Sequence, residues 1–341
     1  MESDVFLKNL HNEWIFGILP PNLDRFVREG ASLGMTVLSS EIESFFGDLF
    51  PSIKSEREKS NLPKDLSPPL VRKIFQEQGY TYPRKNIIFH CLKGGAAKTT
   101  LAYNVSFRLA QLGCRILLVD LDKQANATYS FTTEKPKHVF VDVVLNKCKV
   151  FDAITTVDSF LHLLPSSLDN ARLEMELLGR RENPRLFYRN LFAPVRDNYD
   201  LVIFDLPPDL SHNTYLSSLF ADIICVPATP DEYSVYGMKL TLSSLEDLKR
   251  EYPDLNHEVL VVWTKYDGRE KSASRYISDL QDLGSARVMP FVIRSDITFK
   301  HAQAQGKSVF DFKRKSNAKE DIDILTRELI GLNDFIKAGT A

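Results

Sequence analysis

The most informative segment of the chain is the octapeptide Lys93-Gly94-Gly95-Ala96-Ala97-Lys98-Thr99-Thr100. The residues before it, 86–92, are apolar and rich in β-branched and aromatic side chains, which is typical of a strand buried on both faces. Residues 98–112 after it carry leucine and valine at helical spacing, and Gly113 follows as a helix terminator. The octapeptide is therefore predicted to be a loop that joins a buried strand to the N-terminus of a helix.

Such a loop is suited to bind phosphate groups. Free backbone N–H groups and the positive end of the helix dipole attract phosphate oxygens at a helix N-terminus. Gly94 and Gly95 lack a Cβ atom, so the backbone can approach a ligand closely. The ammonium group of Lys98 is expected near the β- and γ-phosphates, and the Thr99 hydroxyl group is expected on Mg²⁺. The residues alone thus predict a nucleotide-binding loop.

The loop departs from the ordinary P-loop pattern G-x-x-x-x-G-K-[ST], because the two pattern glycines fall on Leu92 and Ala97. It fits the deviant Walker A pattern K-G-G-x-x-K-T-[ST], in which an additional lysine, here Lys93, precedes the glycines. If position 97 needs a positive φ angle, alanine carries a penalty of about 1 kcal/mol there, and hydrolysis is expected to be slow. A glycine turn that binds no ligand is the alternative interpretation of the loop taken alone.

Acidic side chains end two further predicted strands. The strand 115–122 ends in Asp120 and Asp122, and the strand 200–208 carries Asp205 after its apolar residues. In an open parallel sheet the carboxyl ends of the strands face the ligand crevice, so these acids are predicted beside the phosphates. A carboxylate at such a position holds the coordination shell of Mg²⁺. A turn-capping role for each aspartate is the alternative.

Five motifs, in this order, resemble those of the ParA/Soj group of DNA-partition ATPases, which are relatives of MinD. They are KGGAAKTT, LVDLDKQANAT, FDLPP, residues 262–269 and residues 306–312. The resemblance extends from about residue 66 to about residue 330. It implies that ATP and Mg²⁺ are the ligands, and that the chain is a Mg²⁺-dependent ATPase that is slow by itself and stimulated by a partner.

The resemblance also implies roles for individual residues. Lys98 and Thr99 match the phosphate-binding and Mg²⁺-binding residues, and Lys93 matches the signature lysine that reaches across a dimer interface to the partner's ATP. Asp122 matches the acid that positions the attacking water beside the metal, and Asp205 matches the acid associated with Mg²⁺. Lys93, Lys98 and Asp122 are therefore the predicted catalytic residues. The other predicted ATP contacts are Gly94, Gly95, Ala96, Ala97, Thr100, Thr264 and Lys265.

The function that the resemblance implies is that of a partition switch. Binding of ATP drives formation of a sandwich homodimer, the dimer binds DNA without sequence preference, and a ParB-like centromere-binding protein triggers hydrolysis and release. A cation supplied by the partner subunit acts on the phosphates as an arginine finger does. The protein is accordingly expected in the cytoplasm, associated with the nucleoid and without stable membrane association.

A basic region, residues 294–315, is predicted to contribute most of the DNA-binding surface. It contains six basic residues and two acids, a local charge of +4. Binding through phosphate contacts should weaken steeply with salt, because counterions are released. An ordinary solvated face is the alternative. The predicted DNA-binding residues are Arg269, Lys271, Arg275, Arg294, Lys300, Lys307, Lys313, Arg314 and Lys315.

The composition indicates a soluble protein with two parts. The chain has 341 residues, of which 43% are hydrophobic, and a net charge of −2, and it contains neither a signal-peptide pattern nor an apolar run long enough to span a bilayer. Apolar strand segments alternate with helical segments, which are expected near 169–178, 184–197, 234–250 and 272–283. This alternation predicts an α/β fold, a doubly wound and mostly parallel sheet with a P-loop, in residues 86–341. Residues 1–85 are predicted to form a small helical accessory domain, either a helix-turn-helix that binds specific DNA or a dimerisation arm.

Three other functions were weighed against the partition switch. A MinD-like membrane-cycling ATPase needs a basic amphipathic helix, but acids outnumber basic residues in the apolar-striped segment 321–337, which is therefore predicted to pack on the sheet. A reductase related to the nitrogenase iron protein needs cysteines that share an iron–sulfur cluster, and the four cysteines lack such spacing. A DNA-binding repressor that uses ATP as a structural switch with little turnover remains an alternative, because Ala97 and the N-terminal extension both permit it.

Overall fold

A twisted sheet lies at the centre of the computed structural model, which describes residues 35–46, 65–132, 134–270, 273, 276, 283–312 and 314–338. The strands of the described residues are β1 (Val37–Leu38), β2 (Asp65–Leu66), β3 (Lys85–Phe89), β4 (Ile116–Asp120), β5 (Thr155–Asp158), β6 (Leu161–Leu164), β7 (Leu201–Asp205), β8 (Ile223–Ala228), β9 (Glu258–Tyr266) and β10 (Arg287–Arg294). Strands β1 and β2 form a small antiparallel ribbon. The other eight form one sheet in the order β10-β9-β8-β3-β7-β4-β6-β5.

The sheet is parallel except at one edge, where β5 pairs antiparallel with β6. Its central strands β3, β4 and β7 are almost entirely buried, as their apolar runs predict. The prediction of a doubly wound, mostly parallel α/β fold is confirmed. The register aligns Phe89 and Asp120 with Asp205, so three strands end at the same level, where the loop 93–100 follows β3.

Helices cover both faces of this sheet. They are α1 (Ser39–Phe46), α2 (Pro68–Glu77), α3 (Lys98–Gln111), α4 (Asn126–Phe131), α5 (Phe140–Val144), α6 (Val150–Ala153), α7 (Leu173–Leu178), α8 (Pro184–Phe192), α9 (His212–Phe220), α10 (Glu232–Glu251), α11 (Ile297–Ala304), α12 (Asn317–Leu329) and α13 (Leu332–Ala338). Helices α2, α3 and α12 enclose one hydrophobic core with the sheet, and α7 to α10 enclose the other. Each central strand therefore buries its side chains alternately in two cores.

The described part of the N-terminal region packs directly on the α/β fold. Arg72 of α2 forms a buried bidentate ion pair with Asp200, with N–O distances of 2.6 and 3.2 Å, and also donates to the carbonyl of Gly113 at 2.8 Å. Phe75 and Tyr82 lie in the same hydrophobic core as helix α3. The boundary at residue 85 stays a prediction, and residues 1–34 and 47–64, on which a helix-turn-helix would depend, lie outside the described residues.

The C-terminal segment forms two helices. Gly331, with φ of +67°, separates α12 from α13, because glycine adopts this left-handed conformation without steric cost. The apolar stripe of α12 is buried against the core through Ile322, Leu325 and Leu329. The segment thus packs on the fold as predicted, and no helix among the described residues has the length and hydropathy to cross a membrane.

Several other elements differ from the sequence-based prediction. The edge strand β5 and the helices α4, α5, α6, α9 and α11 were not predicted, and most of the helix predicted over 272–283 lies outside the described residues. Helix α8 ends at Phe192 rather than at 197, and the segment predicted as one helix over 169–178 begins as a 3₁₀ turn. Short helices of four to nine residues carry too little periodic pattern to be recognised.

Candidate nucleotide-binding site

The octapeptide forms the predicted loop between β3 and α3. Gly95 has φ of +79°, and Ala97, which caps α3, has φ of 72° and ψ of 19°. Position 97 therefore requires the left-handed conformation in which an L-residue is disfavoured by about 1 to 2 kcal/mol. The carbonyl of Ala97 still accepts the first helical hydrogen bond, from Leu101 N at 2.9 Å. Thr99 and Thr100 lie in the first turn of the helix.

The ammonium group of Lys98 is held inside the loop. Its Nζ donates to the carbonyl oxygens of Cys91 and Lys93, each at 3.1 Å, and the residue is only 7% exposed. Burial lowers the pKa of Lys98, since a charged ammonium group loses its hydration there. A buried cation whose partners are only carbonyl dipoles is well placed to bind an anion.

Lys93, in contrast, points towards helix α10. Its Nζ lies 2.6 Å from Oδ1 of Asp231, a residue that also caps α10 by accepting from Ser234 N at 3.0 Å. The same helix approaches the loop closely at Gly237, where a Cβ atom would lie 3.3 Å from Cβ of Lys93. Leu92 N donates to the Thr241 hydroxyl group at 3.2 Å. Helix α10 thus packs against one side of the loop.

The contribution of Asp231 was not predicted from the sequence. An acid directly before a segment with helical spacing is a common helix-capping signal, and this signal was present at Asp231. The pairing with Lys93, 138 residues away, has no local signal.

Two buried carboxylates face the loop from adjacent strands. Asp120 and Asp205 are paired in register on β4 and β7, and both are 0% exposed. Burial raises the pKa of Asp120 to about 7. Burial, and then the nearby charge of Asp120, hold the pKa of Asp205 well above its ordinary range. Two carboxyl groups thus lie side by side at the carboxyl ends of β4 and β7, where a bound cation would favour their ionised forms.

The Asp205 carboxylate is suited to bind a cation. Both of its oxygens are buried and neither makes a hydrogen bond of ordinary length to the described residues, although the Thr99 side chain is close enough to offset part of the rise in its pKa. Buried carboxylates are normally satisfied, so an additional group is expected at this position. No cluster of three or more His, Cys, Asp or Glu within the part of the chain that the structure describes is arranged to bind a metal alone. Phosphate and water oxygens would have to complete the coordination of Mg²⁺.

Asp122 lies on the loop after β4, half-buried at the entrance of the site. Its Oδ1 accepts from Gln124 N at 2.9 Å, and its own N–H donates to Asp120 Oδ1 at 3.1 Å. Ala125, with φ of 54°, turns the chain into α4. Asp122 is therefore on a constrained loop and still reaches solvent.

Two of the predicted ATP contacts, Thr264 and Lys265, have different surroundings. Thr264 is buried, and its hydroxyl group lies 3.2 Å from the carbonyl oxygen of Ala96 and 3.3 Å from that of Ala228. The structure thus brings Thr264 against the loop. Lys265 is exposed and has φ of 54°.

Some of the predicted DNA-binding residues are paired with acidic residues of the same chain. Arg294 is paired with Asp321 and Glu320, and Arg269 is paired with Asp267. Four other predicted DNA-binding residues have exposed side chains, namely Lys300, Lys307, Arg314 and Lys315. Lys271, Arg275 and Lys313 lie outside the described residues.

The fifth motif, residues 306–312, is hydrogen-bonded to α3, the helix that follows the loop 93–100. Asn104 Oδ1 in α3 accepts from the Ser308 hydroxyl group at 3.0 Å and from Val309 N at 2.9 Å. The segment that carries Lys307 is therefore connected to α3.

Comparison with known proteins agrees with this geometry. The family model of the AAA domain matches residues 84–260, more than half of the chain. A ParA family protein of Chlamydia pneumoniae is 31% identical over 253 residues, which cover 72% of this chain and 97% of the relative. The chain belongs to the ParA family. The chromosome-partitioning ATPase Soj of Thermus thermophilus is 32% identical over 217 residues, 64% of this ParA-family chain and 84% of the relative.

A solved structure shows the same fold. It is the McdA–ATP complex from Cyanothece, with a TM-score of 0.66 and 20% identity, which covers 74% of this chain and 98% of that one. The resemblance to the ParA/Soj group is thus confirmed, and by family the chain is a P-loop ATPase of the ParA type.

Proposed function

We propose that this ParA-family ATPase is a DNA-partition switch that binds ATP and Mg²⁺ at the site described above. ATP drives formation of a sandwich dimer that binds DNA without sequence preference, and a ParB-like partner stimulates hydrolysis and release. The observation that carries the proposal is that the loop, the Lys98 ammonium group and two buried carboxylates meet at one edge of the sheet. The partition role rests on the relatives, of which Soj is a chromosome-partitioning ATPase.

Lys98 is the proposed phosphate residue. Its two carbonyl partners are neutral, so phosphate oxygens of ATP should replace them and form stronger, charge-assisted bonds. Gly94, Gly95 and the first turn of α3 offer backbone N–H groups to the same phosphates. Lys265 is exposed beside the loop and is the proposed contact to the base, while Thr264 supports the loop from behind.

Thr99, Asp122 and Asp205 are the residues proposed to hold Mg²⁺. Asp205 fits because both of its carboxylate oxygens are buried without a hydrogen bond of ordinary length, and because the Thr99 side chain lies beside it. Bound Mg²⁺ supplies positive charge that stabilises phosphate oxygens during transfer. Asp122 lies on the half-exposed loop and is proposed to orient the attacking water.

Lys93 is proposed to act on the ATP of a second subunit. In the single chain its ammonium group is paired with Asp231, so this ion pair has to open before Lys93 can reach across an interface. Both side chains are partly exposed, and such pairs contribute only about 0 to 1 kcal/mol. The phosphates of a bound ATP therefore compete readily with Asp231 for Lys93.

The proposal is tested by fluorescence anisotropy with a random-sequence DNA duplex. Binding is measured with ATP, with ADP and without nucleotide, at two salt concentrations. Lys93→Ala is compared with Lys147→Ala, which removes another partly exposed lysine that is paired with an aspartate. We expect salt-sensitive binding that requires ATP, is lost in Lys93→Ala and is retained in Lys147→Ala.

Two results would contradict the partition switch. Absence of ATP-dependent DNA binding would favour a membrane or a protein as the cargo instead of DNA. Binding of one particular sequence without nucleotide would favour the repressor.

A further inference from the structure

Ser166 lies directly behind the loop that carries Asp122. It follows strand β6, is only 1% exposed, and belongs to none of the five motifs. Its hydroxyl group donates to the main-chain carbonyl of Asp122 at 2.6 Å, and its N–H donates to the Thr128 hydroxyl group at 2.9 Å. Asp122, at the start of the connection after β4, and Thr128, in α4, are thus both bound by one residue that follows β6.

These contacts belong to a directed hydrogen-bond network. Asn170 Nδ2 donates to the Ser166 hydroxyl oxygen at 2.7 Å, which leaves the Ser166 proton for the Asp122 carbonyl. The Thr128 hydroxyl group accepts from Ser166 N and donates to Asp120 Oδ2 at 2.8 Å. A hydroxyl group has one proton to donate, so each group in this network has one orientation.

The network is buried throughout, which makes it rigid. Asp120 and Thr128 are 0% exposed, and Asn170 is 5% exposed. Asn170 is itself held, because its Oδ1 accepts from Val141 N of α5 at 3.2 Å. Buried and fully satisfied polar networks specify a single arrangement of the groups that they connect. The main chain at Asp122 is therefore set by residues of the segment after β6.

We propose that Ser166 is a positioning residue for ATP hydrolysis, because its hydroxyl group fixes the main chain at Asp122 and thereby the position of the Asp122 carboxylate. The inference rests on the proposed role of Asp122 in orienting water. It adds a residue whose hydrogen bonds go to Asp122, Thr128 and Asn170 and to none of the residues 93–100. Ser166 should consequently affect the chemical step and leave ATP binding intact.

The test compares steady-state ATPase kinetics and binding of a fluorescent ATP analogue. Ser166→Ala removes the hydroxyl group, and Ser166→Thr restores it. Ser217→Ala is the matched control: Ser217 is also buried, and its hydroxyl group donates to the Asn213 carbonyl at 2.8 Å in α9. We expect Ser166→Ala to lower kcat about tenfold or more while analogue affinity changes less than about twofold. Ser166→Thr should recover most of kcat, and Ser217→Ala should retain it.

Other outcomes overturn the inference. An unchanged kcat in Ser166→Ala, with a loss of Tm like that of Ser217→Ala, makes Ser166 an ordinary packing residue. A parallel loss of ATP affinity shows that the network serves binding. If Ser166→Ala does not fold, Asn170→Ala keeps Ser166 but frees its hydroxyl group to rotate, and an unchanged kcat there refutes the proposal.

The role of Asp122 is checked separately. If Asp122→Ala hydrolyses ATP at the wild-type rate, the proposed function of Asp122 fails whatever Ser166 does. If only the Ser166 and Asn170 variants behave like wild type, the further inference fails and the proposed role of Asp122 stands.

Discussion

Replacing Ala97 by glycine should stabilise this protein, although glycine substitutions usually destabilise. Ala97 has φ of 72° and ψ of 19°, a conformation that costs an L-residue about 1 to 2 kcal/mol. Glycine removes this cost but loses about 0.5 to 1 kcal/mol more conformational entropy on folding than alanine does. The expected net gain in the free energy of unfolding is about 0.5 to 1 kcal/mol for Ala97→Gly.

The gain is small on the temperature scale because the chain is long. An unfolding entropy of about 2.1 cal/mol/K per residue gives about 0.7 kcal/mol/K for the chain, so Tm should rise by about 1 °C. Scanning calorimetry of the nucleotide-free protein resolves such a shift when variants are run side by side. Ala110→Gly, within α3 and in ordinary helical conformation, is the matched control.

The control should shift in the opposite direction. Glycine inside a helix costs about 1 kcal/mol relative to alanine, so Ala110→Gly should lower Tm. A Tm for Ala97→Gly that is equal to or below that of wild type would refute the reasoning, because it would show that position 97 bears no left-handed strain.

Three further predictions concern charge. Lys98→Met should weaken binding of a fluorescent ATP analogue about a hundredfold, with an unchanged circular dichroism spectrum, because two charge-assisted bonds to phosphate are lost; near-wild-type affinity would contradict the phosphate role of Lys98. Arg72→Met should lower the free energy of unfolding by about 3 kcal/mol in urea titrations, since it breaks a buried ion pair while Arg115 still pairs with Asp200; a loss under about 1 kcal/mol would count against it. Burial opposes ionisation of Asp200, but Arg115 and Arg72 outweigh it and lower its pKa. The stability from this shift should be complete above the unfolded pKa of about 3.9 and be lost as pH falls through the folded pKa. Arg72→Met should lose less stability than wild type in this acid range, and identical pH profiles would exclude the linkage.

Local patterns were sufficient to predict the class of fold and to place the strand-ending acids near the glycine loop. Strands buried on both faces are nearly uninterrupted apolar runs, so β3, β4 and β7 are visible in the sequence. Because the carboxyl ends of parallel strands lie at the same edge of a sheet, the acids that end β4 and β7 had to lie near the glycine loop. The loop pattern places Ala97 directly before the helix. The sequence raised a positive φ angle at this position only as a possibility, and the structure shows that the angle is positive.

The partners of the charged groups were decided by tertiary packing. Lys93 with Asp231, and Arg294 with Asp321, are contacts between residues 138 and 27 positions apart, and a count of charges in a segment cannot predict them. The positive charge that residues 294–315 present at the surface is thus smaller than their composition indicates, because Arg294 forms ion pairs with two acids of α12.

The supports of the loop that carries Asp122 also became visible only in three dimensions. Nothing in the neighbourhood of Ser166 distinguishes it from an ordinary turn serine, and its importance comes from the carbonyl of Asp122, which the sheet order places beside it. A sequence records which side chains can donate and accept hydrogen bonds. Which donor meets which acceptor depends on the distances that close packing of distant segments imposes.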